Sequence, residues 1–117
     1  MAPGKSLQPV RLGAHTSIPD GGAMGFTIET ASGPRHIFII RQGETFHAYE
    51  NRCPHTGVSL DWQPNQFLDL SNTLIQCSNH GALFRIEDGL CIYGPCVNRY
   101  LTSISSRIED GELTVLL

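Results

Sequence analysis

Met24-Gly25-Phe26-Thr27-Ile28-Glu29-Thr30-Ala31-Ser32-Gly33-Pro34-Arg35-His36-Ile37-Phe38-Ile39-Ile40 holds two strand patterns in succession. In residues 24–30, Phe26 and Ile28 alternate with polar neighbours, the mark of a strand with one face buried. Residues 36–40 form a nearly unbroken apolar run, which reads as a more deeply buried strand. Ala31-Ser32-Gly33-Pro34 is turn chemistry between them, so the two are expected to form a hairpin. The pattern repeats outward. Gly43 separates segments 35–42 and 44–50; Glu87-Asp88-Gly89 separates 82–86 from 90–92; Glu109-Asp110-Gly111 separates 101–108 from 112–117. Asp-Gly between apolar segments is a hairpin signal. Helical spacing is not sustained anywhere, so the expected class is all-β, with short antiparallel strands closing into a small barrel or sandwich. Residues 51–57 and 58–72 break the strand pattern, and loops of that kind carry chemistry.

A chain of 117 residues supports one hydrophobic core, and one domain over residues 11–117 is expected. Pro3, Gly4 and Pro9 discourage regular structure, so residues 1–10 are expected to be mobile. Hydrophobic residues make up 40% and charged residues 16%, with no apolar run near the ~18 residues of a membrane span. Neither disorder nor a membrane is indicated. Eight basic residues are scattered singly among eleven acids for a net charge of −3, which lacks the basic face of a nucleic-acid binder. The first residues lack the apolar core of a signal peptide, and four cysteines are too few for a disulfide scaffold, so a cytoplasmic location is expected. In a reducing compartment, clustered Cys and His point to metal binding or redox chemistry. All four cysteines fall between residues 53 and 96.

The central signal is Cys53-Pro54-His55, then 21 intervening residues, then Cys77-Ser78-Asn79-His80. Each half offers one thiolate and one imidazole on a short loop, four ligands able to enclose a metal centre. A zinc ion would take them as a tetrahedron, whereas a [2Fe–2S] cluster would take both thiolates on one iron and both imidazoles on the other. Ligand count leaves that choice open.

The flanking residues resemble the Rieske family of iron–sulfur proteins. The resemblance rests on Cys53-Pro54-His55-Thr56-Gly57, on Cys77-Ser78-Asn79-His80-Gly81-Ala82-Leu83-Phe84, and on Gly89 followed by Gly94-Pro95. It implies a three-layered antiparallel β fold and a [2Fe–2S] cluster held within residues 51–96. Carried over by position, Cys53 and Cys77 hold the buried iron, and His55 and His80 the outer iron nearest the surface. Gly94-Pro95 forms a covering loop. Gly57 and Gly81 would let backbone amides approach the sulfurs without a side-chain clash and allow positive φ, and Pro54 would restrict the first loop. Rieske proteins of the cytochrome complexes are similar in ligands but add a disulfide between the loops and hydroxyl donors to the sulfurs. The matching positions here are Val58 and Asn79, and Ala82 and Phe84, which implies a potential toward the low end of the roughly −150 to +300 mV range. The spacer before Cys77 is longer than is typical of the family. Its Trp62 and Phe67 are expected to tuck into a satellite core, with contact to a partner as the alternative.

Cys91 and Cys96, beside Leu90, Ile92 and Val97, are expected to be small buried apolar groups, with a redox-sensing thiol pair as the alternative. His15, His36 and His47 lack a partner at metal spacing and read as structural or surface residues; Tyr93 and Tyr100 read as packing residues, Tyr93 being near the covering loop. The sequence has no Gly-rich nucleotide fingerprint and no second set of metal ligands, so no catalytic residue is assigned. The resemblance therefore implies an electron-transfer protein rather than an enzyme: a ferredoxin passing one electron at a time from a reductase to a terminal oxygenase. Two other readings remain. One is a small [2Fe–2S] subunit of a larger reductase, similar to the small component of assimilatory nitrite reductase. The other is a zinc-stabilised interaction module.

Overall fold

The computed structural model describes residues 9–31, 33–52, 54, 60, 67–69, 71, 73–77 and 81–117. Its strands are β1 (Pro9–Ala14), β2 (Ala23–Thr30), β3 (Gly33–Gln42), β4 (Thr45–Glu50), β5 (Leu74–Gln76), β6 (Leu83–Arg85), β7 (Cys91–Tyr93), β8 (Ser103–Ile104), β9 (Ser106–Glu109) and β10 (Glu112–Leu116). One 3₁₀ turn, His15–Ser17, follows β1. All pairings between these strands are antiparallel, in three sheets ordered β1-β10-β9, β2-β3-β4-β8 and β5-β6-β7. Among the described residues no helix is long and apolar enough to cross a membrane.

The run at 36–40 explains the layering. Successive side chains of a strand point to opposite faces. Ile37 and Ile39 join Ile28, Ala48, Ile104, Leu113 and Val115 in one core, under the β1-β10-β9 sheet. Phe38 and Ile40 join Tyr49, Phe67, Ile75, Cys77 and Phe84 in another, under the β5-β6-β7 sheet. The middle sheet is thus buried on both faces at residues 37–40 of β3, and that is why this run shows no alternation. β2, at its edge, gives Met24, Phe26 and Ile28 to one core and only Ala23 to the other, so it alternates.

The hairpins follow the turn residues. β2 and β3 pair from Ala23↔Ile40 to Thr30↔Gly33. The connection is two residues shorter than Ala31–Pro34 suggests, because Gly33 and Pro34 already pair with Thr30 and Glu29 at the start of β3. At the β9–β10 turn both Asp110 (φ 52°) and Gly111 (φ 76°) are left-handed, as a type I′ hairpin requires.

Two expectations need correction. Regular structure begins at Pro9, inside the segment expected to lack it: β1 pairs with β10 from Pro9↔Leu116, and residues 1–8 lie outside the described residues. Segment 101–108 is not one strand. β8 pairs with β4 in the middle sheet, β9 pairs with β10 in the outer one, and the Ser105 carbonyl between them accepts the Leu116 N–H at 2.9 Å.

Candidate metal centre

Of the four proposed ligands the structure describes Cys77; Cys53, His55 and His80 lie outside the described residues, as do Gly57, Val58, Trp62 and Asn79. Cys77 follows β5 and is fully buried. Its N–H donates to the Ala82 carbonyl at 2.9 Å, and the Gly81 N–H donates back to the Cys77 carbonyl at 2.8 Å. These two bonds tie Cys77, at the end of β5, to Gly81 and Ala82 ahead of β6. Gly81 sits at φ +68°, and a Cβ there would meet no described atom within 4 Å. The backbone turn, rather than a clash with described protein atoms, is what calls for glycine.

The first loop is pinned at both ends. The Asn51 N–H donates to the His36 carbonyl at 2.8 Å, and the Asn51 side-chain carbonyl accepts the Leu60 N–H at 2.8 Å. Leu60 is buried in the same core as Cys77. Sequence reading passed over Asn51 as a metal-site determinant, although Asn opening a loop is a recognised turn signal.

The third segment touches both others. A Cβ on Gly94 (φ +104°) would lie 2.8 Å from Ala82 Cα and 3.0 Å from Ala82 Cβ, so this glycine packs directly on the backbone of the second loop. The Arg99 guanidinium donates to the Pro54 carbonyl in the first loop at 3.2 Å. No sequence signal pointed to Arg99. Segments around residues 54, 82 and 94–99 are therefore joined to one another, and the second of them carries the buried Cys77.

The hydrophobic residues around this point divide differently from expectation. Phe67 stacks on Phe38, rings 4.4 Å apart and 9° from parallel, and belongs to the main core rather than a satellite. Tyr93 and Tyr100, expected to pack, are 65% and 59% exposed, with Ile92 and Val97 exposed beside them in the chain. The three-residue β7 sends Cys91 inward, ends at Tyr93 and, among the described strands, lies at the edge of its sheet. Cys91 and Cys96 are buried, as expected of small apolar groups. His15 bonds the Gly111 carbonyl at 2.8 Å and meets Phe46 edge-on, and His36 bonds Thr27 at 3.1 Å, both structural roles.

A thiolate buried as Cys77 is among Phe67, Ile75 and Phe84 would be costly without a positive partner. A metal supplies one, and sulfur suits iron or zinc alike. Residues 8–108 match the family model described as the Rieske [2Fe–2S] domain. No curated protein matches the chain. Among solved structures, the chain is similar to the ferredoxin of carbazole 1,9a-dioxygenase from Nocardioides aromaticivorans IC177, at 20% identity and a TM-score of 0.70, over 92% of this chain and 96% of that one. It is similar to a chain in the complex of reduced oxygenase and oxidised ferredoxin of a carbazole 1,9a-dioxygenase, at 23% identity and a TM-score of 0.72, over 92% of both chains. It is also similar to the terminal oxygenase of carbazole 1,9a-dioxygenase from Novosphingobium sp. KA1, at 17% identity and a TM-score of 0.77, over 96% of this chain but 31% of that one. At these identities the likeness concerns the fold. The buried thiol on a glycine-closed loop, with two further segments against it, fits an iron–sulfur centre.

Proposed function

The chain belongs to the Rieske [2Fe–2S] domain family, and on that premise we propose that it is a cytoplasmic one-electron carrier, a ferredoxin taking electrons from a reductase and giving them to a terminal oxygenase. Residues 11–117 act as one domain, with the cluster-binding region at about 51–96. Cys53 and Cys77 hold one iron of the [2Fe–2S] cluster, and His55 and His80 the other. When bound, the cluster accepts and releases one electron.

The chain's residues do the rest. Cys77 brings a thiolate from the rigid end of β5, and the Gly81 turn fixes its direction. Asn51 ties Leu60, at the far end of the first loop, to the start of that loop and to β3. Phe67, Ile75 and Phe84 exclude water from the inner side. The exposed apolar residues Ile92, Tyr93, Val97 and Tyr100 offer a partner surface near Gly94-Pro95. Small interfaces suit a carrier that must let go quickly.

The observation that carries this reading is the convergence of the Cys77 loop, Pro54 and Gly94, joined by the Arg99 bond and the Gly94–Ala82 packing. Reconstituting a reductase, this chain and a Rieske-type oxygenase tests it. Product formation should depend on the chain at amounts well below the oxygenase and should saturate as it is added. Turnover undiminished without the chain, or a chain that works only as a stoichiometric, inseparable subunit, would count against a shuttle.

A further inference from the structure

Cys91 and Cys96 are each 1% exposed, and they face one another. The Cys96 thiol donates to Cys91 Sγ at 3.1 Å, and the Cys91 thiol donates to the Tyr93 carbonyl at 3.3 Å. The sulfurs are therefore closer than ordinary packing of two apolar groups needs. A disulfide would bring them to about 2.05 Å, a movement of about 1 Å. The turn between them is the one that touches the metal-binding segments. Arg99 brackets the pair through its backbone, its N–H donating to the Cys96 carbonyl at 2.9 Å and its carbonyl accepting the Cys91 N–H at 2.8 Å. Its guanidinium reaches the Pro54 carbonyl, and Gly94, inside the same turn, rests on Ala82.

We propose that Cys91 and Cys96 form a reversible dithiol/disulfide switch, driven by small-molecule disulfides, that sets how the 94–99 turn presses on the two metal-binding loops. In the first step a thiolate of the pair attacks the external disulfide, forms a mixed disulfide and releases one small thiol. In the second, its partner attacks the mixed disulfide, forms the Cys91–Cys96 bond and releases the other small thiol. The pair loses two electrons and two protons, and the external disulfide gains both as two thiols. A small dithiol reverses the change by the same route.

Access comes from the turn itself. It is capped by the long Val97 N–H to Gly94 carbonyl bond at 3.3 Å and holds Asn98 at φ 73°, a left-handed position for a non-glycine residue. Its outer side chains are solvent-exposed, so a local opening uncovers the sulfurs without unfolding the sheets. In a reducing compartment, paired thiols that can bridge are more often regulatory than structural.

The pairing owes nothing to the cluster, whereas its effect on the cluster rests on the proposed function. The test uses the coloured holoprotein, titrated anaerobically with glutathione redox buffers of graded ratio, quenched and alkylated in denaturant, then cut with trypsin. Cleavage after Arg85 and Arg99 places both cysteines in one peptide without Cys53 or Cys77. The expected result is a single two-electron transition from a doubly alkylated peptide to an unalkylated one that is two hydrogens lighter than the free dithiol peptide. Dithiothreitol should reverse it, the visible spectrum should persist, and the electron paramagnetic resonance spectrum of the reduced cluster should differ between the two thiol states. A stable glutathione adduct on either cysteine would overturn the proposal. So would thiols that stay reduced until urea unfolds the protein, or a disulfide that leaves the resonance spectrum unchanged. Cys96→Ser should abolish the transition, and because the wild-type titration stands alone, a variant that fails to fold does not decide the matter. Iron or sulfide missing from the purified protein would instead undo the proposed function, with the thiol titration still readable.

Discussion

Tyr49 shows how one buried polar atom ties the middle sheet to the cluster-side sheet. It is 2% exposed, stands across from Phe38 on β3, and donates from its hydroxyl to the Ile86 carbonyl at 2.5 Å. Burial, with smaller contributions from Asp88 and then Glu87, pushes its pKa up from 10.0 to about 12. Below pH 10 both folded and unfolded chains keep this proton, and no pH dependence arises. Between pH 10 and about 12 the unfolded chain loses it first, so stability falls as pH rises, by about 3 kcal/mol in all. Tyr49→Phe should cost about 1–2 kcal/mol at neutral pH, because the Ile86 carbonyl loses its donor, and should flatten this alkaline fall. Urea unfolding of both chains across that range checks it, and an equally steep fall in the variant would contradict it. Phe84 carries a prediction of another kind. It is buried in one core with Cys77, where the resemblance puts a hydroxyl donor in high-potential relatives. Phe84→Tyr should raise the reduction potential by tens of millivolts, one kcal/mol being about 43 mV for one electron. Protein-film voltammetry reads the shift, and a fall in potential would oppose the account.

At the scale of elements, the turns matter more than the strands. The second loop is short because β5 and β6 continue to pair beyond their ends, through the Cys77 N–H and the Ala82 carbonyl. The third loop is held where Gly94 meets Ala82. Gly94→Ala introduces a methyl 2.8 Å from backbone at a φ of +104°, a cost of about 2–3 kcal/mol. The expected outcome is a lower unfolding midpoint and faster bleaching of the visible spectrum in the presence of an iron chelator. Unchanged bleaching would mean that the third loop does not protect the centre. The Asp-Gly and glycine turns were legible in the sequence because positive φ restricts the residue choice. β1 was missed, although Val10 and Leu12 alternate there, because the nearby prolines and glycine argued for disorder and its partner β10 lies at the other end of the chain. The split of 101–108 into β8 and β9 was hidden for a similar reason: a strand's propensity does not say which sheet will take it.

In the whole molecule, the middle sheet is the common floor of two cores, and β3 is the only described strand that supplies fully buried large side chains to both. The all-β layering could be read from the contrast between alternation in β2 and continuity in β3. The convergence at the centre could be read only in part. Cys77 and its glycine announced themselves by spacing and motif, whereas Arg99 and Asn51 act through backbone carbonyls and side-chain amides that no spacing rule registers. Exposed Tyr93 and Tyr100 escaped because aromatic residues in a strand pattern usually pack, whereas β7 is the edge strand of its sheet among the described strands. The most direct test of the central claim is pulsed electron paramagnetic resonance of the chemically reduced protein, reading nitrogen couplings at the paramagnetic centre. The account predicts a signal from one unpaired electron, with couplings from two directly bound imidazole nitrogens supplied by His55 and His80. An iron–sulfur signal without bound nitrogen, or no signal from a protein carrying stoichiometric zinc, would contradict it.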